Sequence, residues 1–249
     1  MNYAIKGAER KVARSQACRI ISGGGDMSLT AYQINAGEQL DVVAHGLDDQ
    51  GRLTFVCRAE DALLYEDMAV RVDAVLKAPE FRADIISASL HGLGVVEWQE
   101  FHGQFRSGII QVEQVFVHNF AQPIPFQFGE IVGDAMHLPE VVVDEFAARE
   151  AVGELSKQQC NTLIDAVVAE TYPGGAVTMS GFGGCEHHAD EVYVVDICEH
   201  GITLMQTANG RMATALVPFA KAAYTIEDLA RRVVVLAAEA SARHASSRI

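Results

Sequence analysis

Apolar and polar positions change period along this chain, and the change divides it. Over residues 8–22, "AERKVARSQACRIIS", apolar groups fall at Val12, Ala13, Ala17, Ile20 and Ile21. That is the spacing of an amphipathic helix. Gly23-Gly24-Gly25 stops it, and from Asp26 the period shortens toward two. "QLDVVAHGLDDQGRLTFVCR" sets two β-branched runs on either side of Asp48-Asp49-Gln50-Gly51, the composition of a hairpin. "AVRVDAVLKA", "DIISASLHGLGVVEW" and "GIIQVEQVFVHNF" supply further strands. One helix followed only by strands to about residue 120 predicts a barrel.

Beyond Phe120 the pattern changes. "AQPIPFQFGEIVGDAMHLPE" is rich in Pro and Gly without a clean period and reads as a connector. "VVVDEFAAREAVGEL" predicts a short helix. Ser156 with Gln159 forms a capping box, and Cys160, Leu163, Ile164, Val167 and Val168 then repeat at helical spacing, so residues 157–172 form an amphipathic helix. Pro173-Gly174-Gly175 ends it. "EVYVVDI" and "GITLMQTA" are strands joined by a turn at residues 198–201, where Gly201 supplies a positive φ, and "ATALVPF" is a third. Thr225 and Asp228 cap a last helix whose stripe runs Ile226, Leu229, Val233, Leu236, Ala237, Ala240. The fold class is α+β: a split β-barrel domain with its N-terminal helix and connector over residues 1–138, then a small domain of helix, antiparallel strands and helix over residues 139–249.

Composition narrows the function. The 249 residues are 49% hydrophobic and 21% charged, with a formal net charge of −14. A surface of that sign repels nucleic acid and anionic membranes. No signal peptide is legible, and no apolar run reaches the ~20 residues of a membrane span. Five scattered cysteines suit reduced thiols, so a cytoplasmic protein is expected.

One stretch carries the most chemistry-bearing residues. "GFGGCEHHADEVYVVDICEHGITL" sets Cys185 and His187 at one end of an alternating strand and Cys198 and His200 at the other. Tetrahedral zinc holds its ligands within ~2.3 Å of the metal, whereas the extended run between the ends spans ~36 Å. A four-ligand zinc site is therefore rejected. His187 and His188 remain as loop histidines able to offer a neutral imidazole to a haem iron, as does His244 in "SARHASSRI". His91 lies in a strand and reads as a satisfied structural histidine. His45, His102, His118, His137 and His200 fall near turns or strand ends and read as solvated, while Trp98, Phe116, Phe120, Phe126 and Phe128 read as packing residues.

"VYVVDICEHGITL" and "VPFAKAAYTIEDLARRVVVLAAEA", with Asp196, Gly201, Pro218-Phe219 and the capped helix at Asp228-Leu229, resemble the small C-terminal domain of haem-utilisation proteins of the HugZ/HutZ type. Upstream, "ARSQACRIISGGGDMSLTAY", the hairpin and "ISASLHGLGVVEW" are similar to the FMN-binding, pyridoxamine-phosphate-oxidase-like split barrel. The resemblance covers roughly residues 8–240. It implies a homodimer, a haem or other tetrapyrrole ligand, and either oxidative haem degradation or mere haem holding. Where that domain commonly opens its helix with histidines, this chain has Gln159-Cys160-Asn161-Thr162, so no family ligand is carried over. FMN is disfavoured: Arg58 is followed by Glu60, Asp61, Glu66 and Asp67, and carboxylates beside a phosphate cost affinity. The expectation is a haem-associated protein with catalysis open. The alternatives are a non-catalytic regulatory or haem-holding module that has lost the flavin site, and an FMN-dependent oxidoreductase.

Overall fold

The computed structural model describes residues 3–31, 39–63, 69–80, 82–119, 122–180, 190–208 and 210–246, with side chains from residue 7 to residue 245. The chain divides into two compact units. One comprises Ala13–Lys77 with Ile86–Leu138, the other Met1–Val12, Ala78–Ile85 and Pro139–Ile249.

The first unit follows the helix α1 (Tyr3–Ile21) with six long strands: β1 (Asp26–Ala31), β2 (Gln39–Leu47), β3 (Leu53–Arg58), β4 (Ala69–Lys77), β5 (Ile86–His102) and β6 (Phe105–His118). All pair antiparallel in the order β3-β2-β1-β4-β5-β6, and β3 also pairs β6, so the sheet closes into a barrel. A one-turn helix α2 (Ala59–Ala62) follows β3. The β2–β3 turn forms as its composition predicts: Asp48 Oδ1 accepts from the backbone of Gln50 and Arg52, both at 2.9 Å, and Gly51 turns with φ 74°.

Inward positions alternate strictly on β4, where Val70, Val72, Ala74 and Leu76 are buried. On β6 the alternation slips. Gly92 pairs Val115 but Gly94 pairs Val112, so β6 carries an extra residue there. This bulge lets Val112 and Val115, three residues apart, both pack on the core. Leu90, Phe55, Ile110 and Val117 are almost fully buried with them, and Ala17, Ile20 and Ile21 of α1 join the same core.

The Pro/Gly-rich stretch is more ordered than its composition suggests. It forms β7 (Ile124–Gln127), paired with β6, and α3 (Phe128–Ala135). Burial of Phe126, Ile131 and Ala135 in the barrel core explains why. Tertiary packing overrides a weak local period here.

The second unit holds α4 (Glu140–Val143), α5 (Glu145–Val152), α6 (Lys157–Val168), β8 (Gly175–Ser180), β9 (Glu191–Cys198), β10 (Gly201–Ala208), β11 (Arg211–Pro218) and α7 (Ile226–Ser246). The predicted helix near residues 141–155 is two, because Asp144 accepts from Ala147 N at 3.0 Å and caps a new start. The capping box of Ser156 and Gln159 is complete. The helix it opens ends at Val168, four residues short of the predicted end, and Glu170 takes a left-handed φ of 57°. The sheet order is β8-β11-β10-β9, antiparallel throughout, and α6 lies against all four strands. Strand β8 escapes sequence reading because five of its six residues are exposed. Leu229, Val233, Leu236 and Ala240 form the buried stripe of α7.

Gly201 begins β10 after a two-residue turn but not with a positive φ, which corrects the expectation. Its lack of a side chain serves close approach instead: a Cβ there would lie 2.6 Å from Val217 O and 2.9 Å from Pro218 Cα.

Residues 78–85, between β4 and β5, belong to the second unit and carry one buried carboxylate. Glu80 leaves 1% of its side chain exposed and takes hydrogen bonds from Arg82 N, Nε and Nη2 (3.0–3.1 Å) and from Arg149 Nη2 (3.1 Å). Arg149 also donates to Pro79 O, and Arg82 reaches Val192 O at 2.8 Å and Glu191 at 3.3 Å. Burial alone would raise the Glu80 pKa, but the Arg82 hydrogen bonds and the two guanidinium charges outweigh it and hold it below the usual carboxylate value. A depressed pKa gives stability that is fully present above the unfolded value of ~4.3 and is lost as pH falls through the folded value. Glu80→Gln should therefore cost about 2–3 kcal/mol at pH 7, the lower range for a buried ion pair because both arginines reach water. The cost should shrink on acidification. Urea midpoints of the two proteins at pH 7 and pH 4 check this, and equal midpoints at pH 7 would refute it.

Candidate functional site

A cleft of about 1140 Å³ opens in the second unit beside the end of α6 and the C-terminal half of α7. The chain after α6 is drawn tight: Thr171 N, Tyr172 N and Thr171 Oγ1 all donate to Ala166 O at 2.9–3.1 Å. Pro173 follows in this turn, and Tyr172 faces α7. The Tyr172 hydroxyl donates to Glu239 Oε2 at 2.8 Å, while the Arg243 guanidinium lies 5.0 Å from the ring centroid and Nη1 donates to Thr171 O at 3.2 Å. Glu239 and Arg243 are one helical turn apart, so one side of α7 supplies both.

Pro218 and Phe219 line another part of the cleft, with Ala166, Ala169 and Pro173 adding apolar surface. Phe219 N donates to His200 O at 2.9 Å, which ties the end of β11 to the β9–β10 turn. Burial raises the pKa of Asp165, a second acid on the cleft, toward its neutral form. Burial and the hydrogen bond to Glu239 push the Tyr172 phenol up.

His244 lines the same cleft. Its Nε2 stands 2.5 Å from the Gln158 amide nitrogen. An amide NH₂ can only donate, so Nε2 accepts and the ring proton of the neutral form sits on Nδ1; this tautomer is assigned from the hydrogen-bond network. Of the three sequence-predicted ligands, His244 is the one the structure places, and it places it at a cavity. His187 and His188 lie outside the described residues, as does Cys185.

Several other histidines differ from the solvated role expected of them. His45 Nε2 donates to Ile20 O at 2.7 Å, with burial lowering its pKa, and so links β2 to the end of α1. His137 is exposed, as expected, and also bonds Gly133 O at 3.2 Å through Nδ1. His200 sits 3.3 Å from Glu199 Oε1, and burial lowers its pKa against that neighbour's pull. His118 pairs with His91 across the outer face of β5 and β6, Nε2 to Nδ1, at 2.8 Å. His91 is thus satisfied, by a partner that only the strand register reveals.

Among the described residues, no three or more His, Cys, Asp or Glu side chains come together to hold a metal. The described arginines nearest the acidic segment after the first hairpin are engaged: Arg58 lies 3.9 Å from Glu60, Arg71 pairs Asp73 at 2.7 Å, and Arg106 lies over Trp98 and Phe101 at 4.7 and 4.5 Å. Glu66 and Asp67 fall outside the described residues. No helix of the described residues is long and apolar enough to cross a membrane.

Sequence reading missed Tyr172, Phe219, Glu239 and Arg243. The available signal was weak: two aromatic residues, each next to a proline at the edge of an element, and an i, i+4 acid–base pair on the last helix.

No family model matches the chain, and no curated protein matches it. Among solved structures, it is similar to a haem-binding protein from Mycobacterium smegmatis at 14% identity, covering 92% of this chain and 97% of that one, with a TM-score of 0.47. It is also similar to a Clostridium acetobutylicum protein related to general stress protein 26, of the pyridoxinephosphate oxidase family, at 11% identity over 51% of this chain and 97% of that one, TM-score 0.30. The secreted protein Hcp3 from Pseudomonas aeruginosa gives 8% identity over 42% and 99%, TM-score 0.31. These are broad likenesses of shape. The barrel-plus-α+β architecture rests on the strand pairings described above.

Among the described residues no cysteine lines this cleft, and two cysteines are poor nucleophiles. Burial pushes Cys57 and Cys160 up to about 11. The thiolate, not the thiol, is the nucleophile that alkylating reagents trap. Native protein treated with iodoacetamide at pH 8 should leave both unmodified by peptide mass spectrometry while urea-unfolded protein reacts fully; rapid native labelling of either would contradict their burial.

Proposed function

We propose that the protein binds haem, or a tetrapyrrole of similar shape, in the cleft between the end of α6 and α7. The observation that carries this reading is the presence of His244 there, with an unprotonated Nε2, beside the Phe219 and Tyr172 rings and the Arg243 guanidinium. A ligand cleft typically has ~300–1,000 Å³, mostly apolar walls and a few fixed polar groups. This one is open and of that order, at about 1140 Å³. The residues suit the group: an imidazole for iron once Gln158 is displaced, a cation for a propionate, and apolar surface for the macrocycle. Two acids share the cleft: Glu239, which accepts from the Tyr172 hydroxyl, and Asp165, whose pKa burial raises, so the propionate is placed on the Arg243 side. The sequence resemblance to haem-utilisation proteins points the same way.

Haem, when bound, brings the redox chemistry of its iron. The chain's part is to supply the imidazole, orient the carboxylates through Arg243 and limit water with Phe219 and Tyr172. The reading is haem holding first, with degradation as a separate question of whether a reductant consumes the bound pigment. A homodimer belongs to the same proposal, supported by Leu93 (62% exposed) and Val95 (50% exposed), which stand outward on β5.

Titration with haemin should give a Soret band that saturates at one haem per chain. His244→Ala should weaken haem binding by about tenfold or more and shift the band, and Arg243→Ala should weaken binding by a few-fold. If His244→Ala retains the full band while the His187→Ala/His188→Ala double variant loses it, the cleft is the wrong site. If no saturable band forms at all, the haem reading fails.

A further inference from the structure

We infer that the outer face of the barrel carries a binding site for one borderline divalent cation, of the Cu²⁺, Ni²⁺ or Zn²⁺ class, formed by His91 Nδ1 and His118 Nε2. The two nitrogens are 2.8 Å apart and aimed at each other, with ring centroids 4.7 Å apart. Two imidazole nitrogens on one tetrahedral metal, each at ~2.0–2.1 Å, stand about 3.3 Å apart. A separation wider by about half an ångström, within reach of small side-chain rotations, would admit the ion. Imidazole is the ligand type this metal class favours.

The proton balance is simple. A hydrogen bond between two ring nitrogens needs one donor and one lone pair, so a single proton lies between them. When a cation enters, the donor ring carries its proton on its other nitrogen, and both facing nitrogens present lone pairs. The tautomer changes, and neither ring need change its charge.

The surroundings orient the pair. His91 lies parallel to the Phe116 ring, with 12° between planes and 5.2 Å between centroids, which fixes its orientation. Both histidines are partly exposed on the outward face rather than buried in the barrel core. In the strand register His91 faces Asp73 of β4, whose carboxylate adds negative charge beside the pair. Arg71, 2.7 Å from Asp73, offsets part of that charge. Two protein ligands leave the remaining coordination positions to water, consistent with the absence of any three-ligand cluster among the described residues. A site of this kind exchanges its metal readily and is distinct from the haem cleft, on which it does not depend.

The test uses haem-free, full-length protein carrying His187→Ala/His188→Ala, which removes the other adjacent histidine pair. Titration with Cu²⁺ should saturate at one ion per chain, with an EPR spectrum showing two coordinated imidazole nitrogens. His118→Gln, which can still hydrogen-bond His91 and so preserve the fold, should lose that signature and weaken binding by at least about tenfold. Arg71→Ala should tighten binding by a few-fold, because Asp73 is then unopposed. Thermal melts of the metal-free variants confirm that each is folded. No saturable Cu²⁺ binding in the starting protein, or an unchanged two-nitrogen spectrum in folded His118→Gln, would overturn the inference.

Discussion

One strand closes the barrel, and the placement of every outward side chain near it follows from how it does so. On one edge, β6 pairs with β3 over residues 105–110 and with β7 over residues 114–117; on the other it pairs with β5 along most of its length. Where β6 has partners on both sides, its ladder groups are met within the sheet. The extra residue near Val112 is what lets β6 serve all three. Without it Val112 and Val115 would face opposite sides, and one of them would leave the core. Gly94 makes the local crowding tolerable, since a Cβ there would fall 2.8 Å from Ile110 Cγ2 and 2.9 Å from Gln111 O. Beyond the bulge the parity is reset, and that reset brings Phe116 and His118 to the outer face alongside His91.

The second unit is assembled from three separated segments, and such assembly needs a specific fastening. A carboxylate as enclosed as Glu80 is costly to bury, so it persists only with several strong donors. Arg82 and Arg149 provide them from the connector itself and from α5. Because Arg82 continues to Val192 O and lies 5.2 Å from the Tyr193 ring centroid, the same fastening extends to β9. The connector between two barrel strands is thereby tied to the rest of the unit by charge and hydrogen bonds.

The sequence disclosed those features whose cause is local. Period two and period 3.6 are written in β4, α6 and α7, and the caps at Ser156 and Thr225 follow from short-range geometry. What it hid were features whose cause is distant. The strand β7 and helix α3 exist because Phe126 and Ile131 have a barrel core to enter, and β8 exists because β11 offers an edge to pair with. Neither partner is visible from within the segment. Gly201 shows a subtler failure, in which the residue was rightly singled out but the reason was proximity to β11 and not backbone handedness. The functional residues divide in the same way. His244 could be named as a candidate because histidine is rare and chemically versatile. Its neighbours Tyr172 and Phe219 could not, since only the turn after α6 and the end of β11 bring them together. The pairing of His91 with His118 depends on a register offset by a bulge, which no pattern of alternation announces.

Charge distribution adds the last step. With a formal net charge of −14, the molecule as a whole disfavours anionic ligands. Many of its described cations are also neutralised one by one: Arg14 by Asp134, Arg52 by Asp48, Arg71 by Asp73, Arg231 by Glu227 and Asp228. Arg243 is different. Its hydrogen bond goes to a carbonyl and its face to a tyrosine ring, so its charge is oriented without being cancelled by an ion pair. A guanidinium held in this way, next to apolar surface, suits a ligand that is mostly apolar and bears a small number of carboxylates at its edge. A polyphosphate would meet the field of the whole acidic protein with one cation to offset it. A flat tetrapyrrole presents fewer charges and more apolar surface than a polyphosphate, so the charge pattern suits the proposed haem ligand better than a nucleotide or flavin phosphate in this cleft.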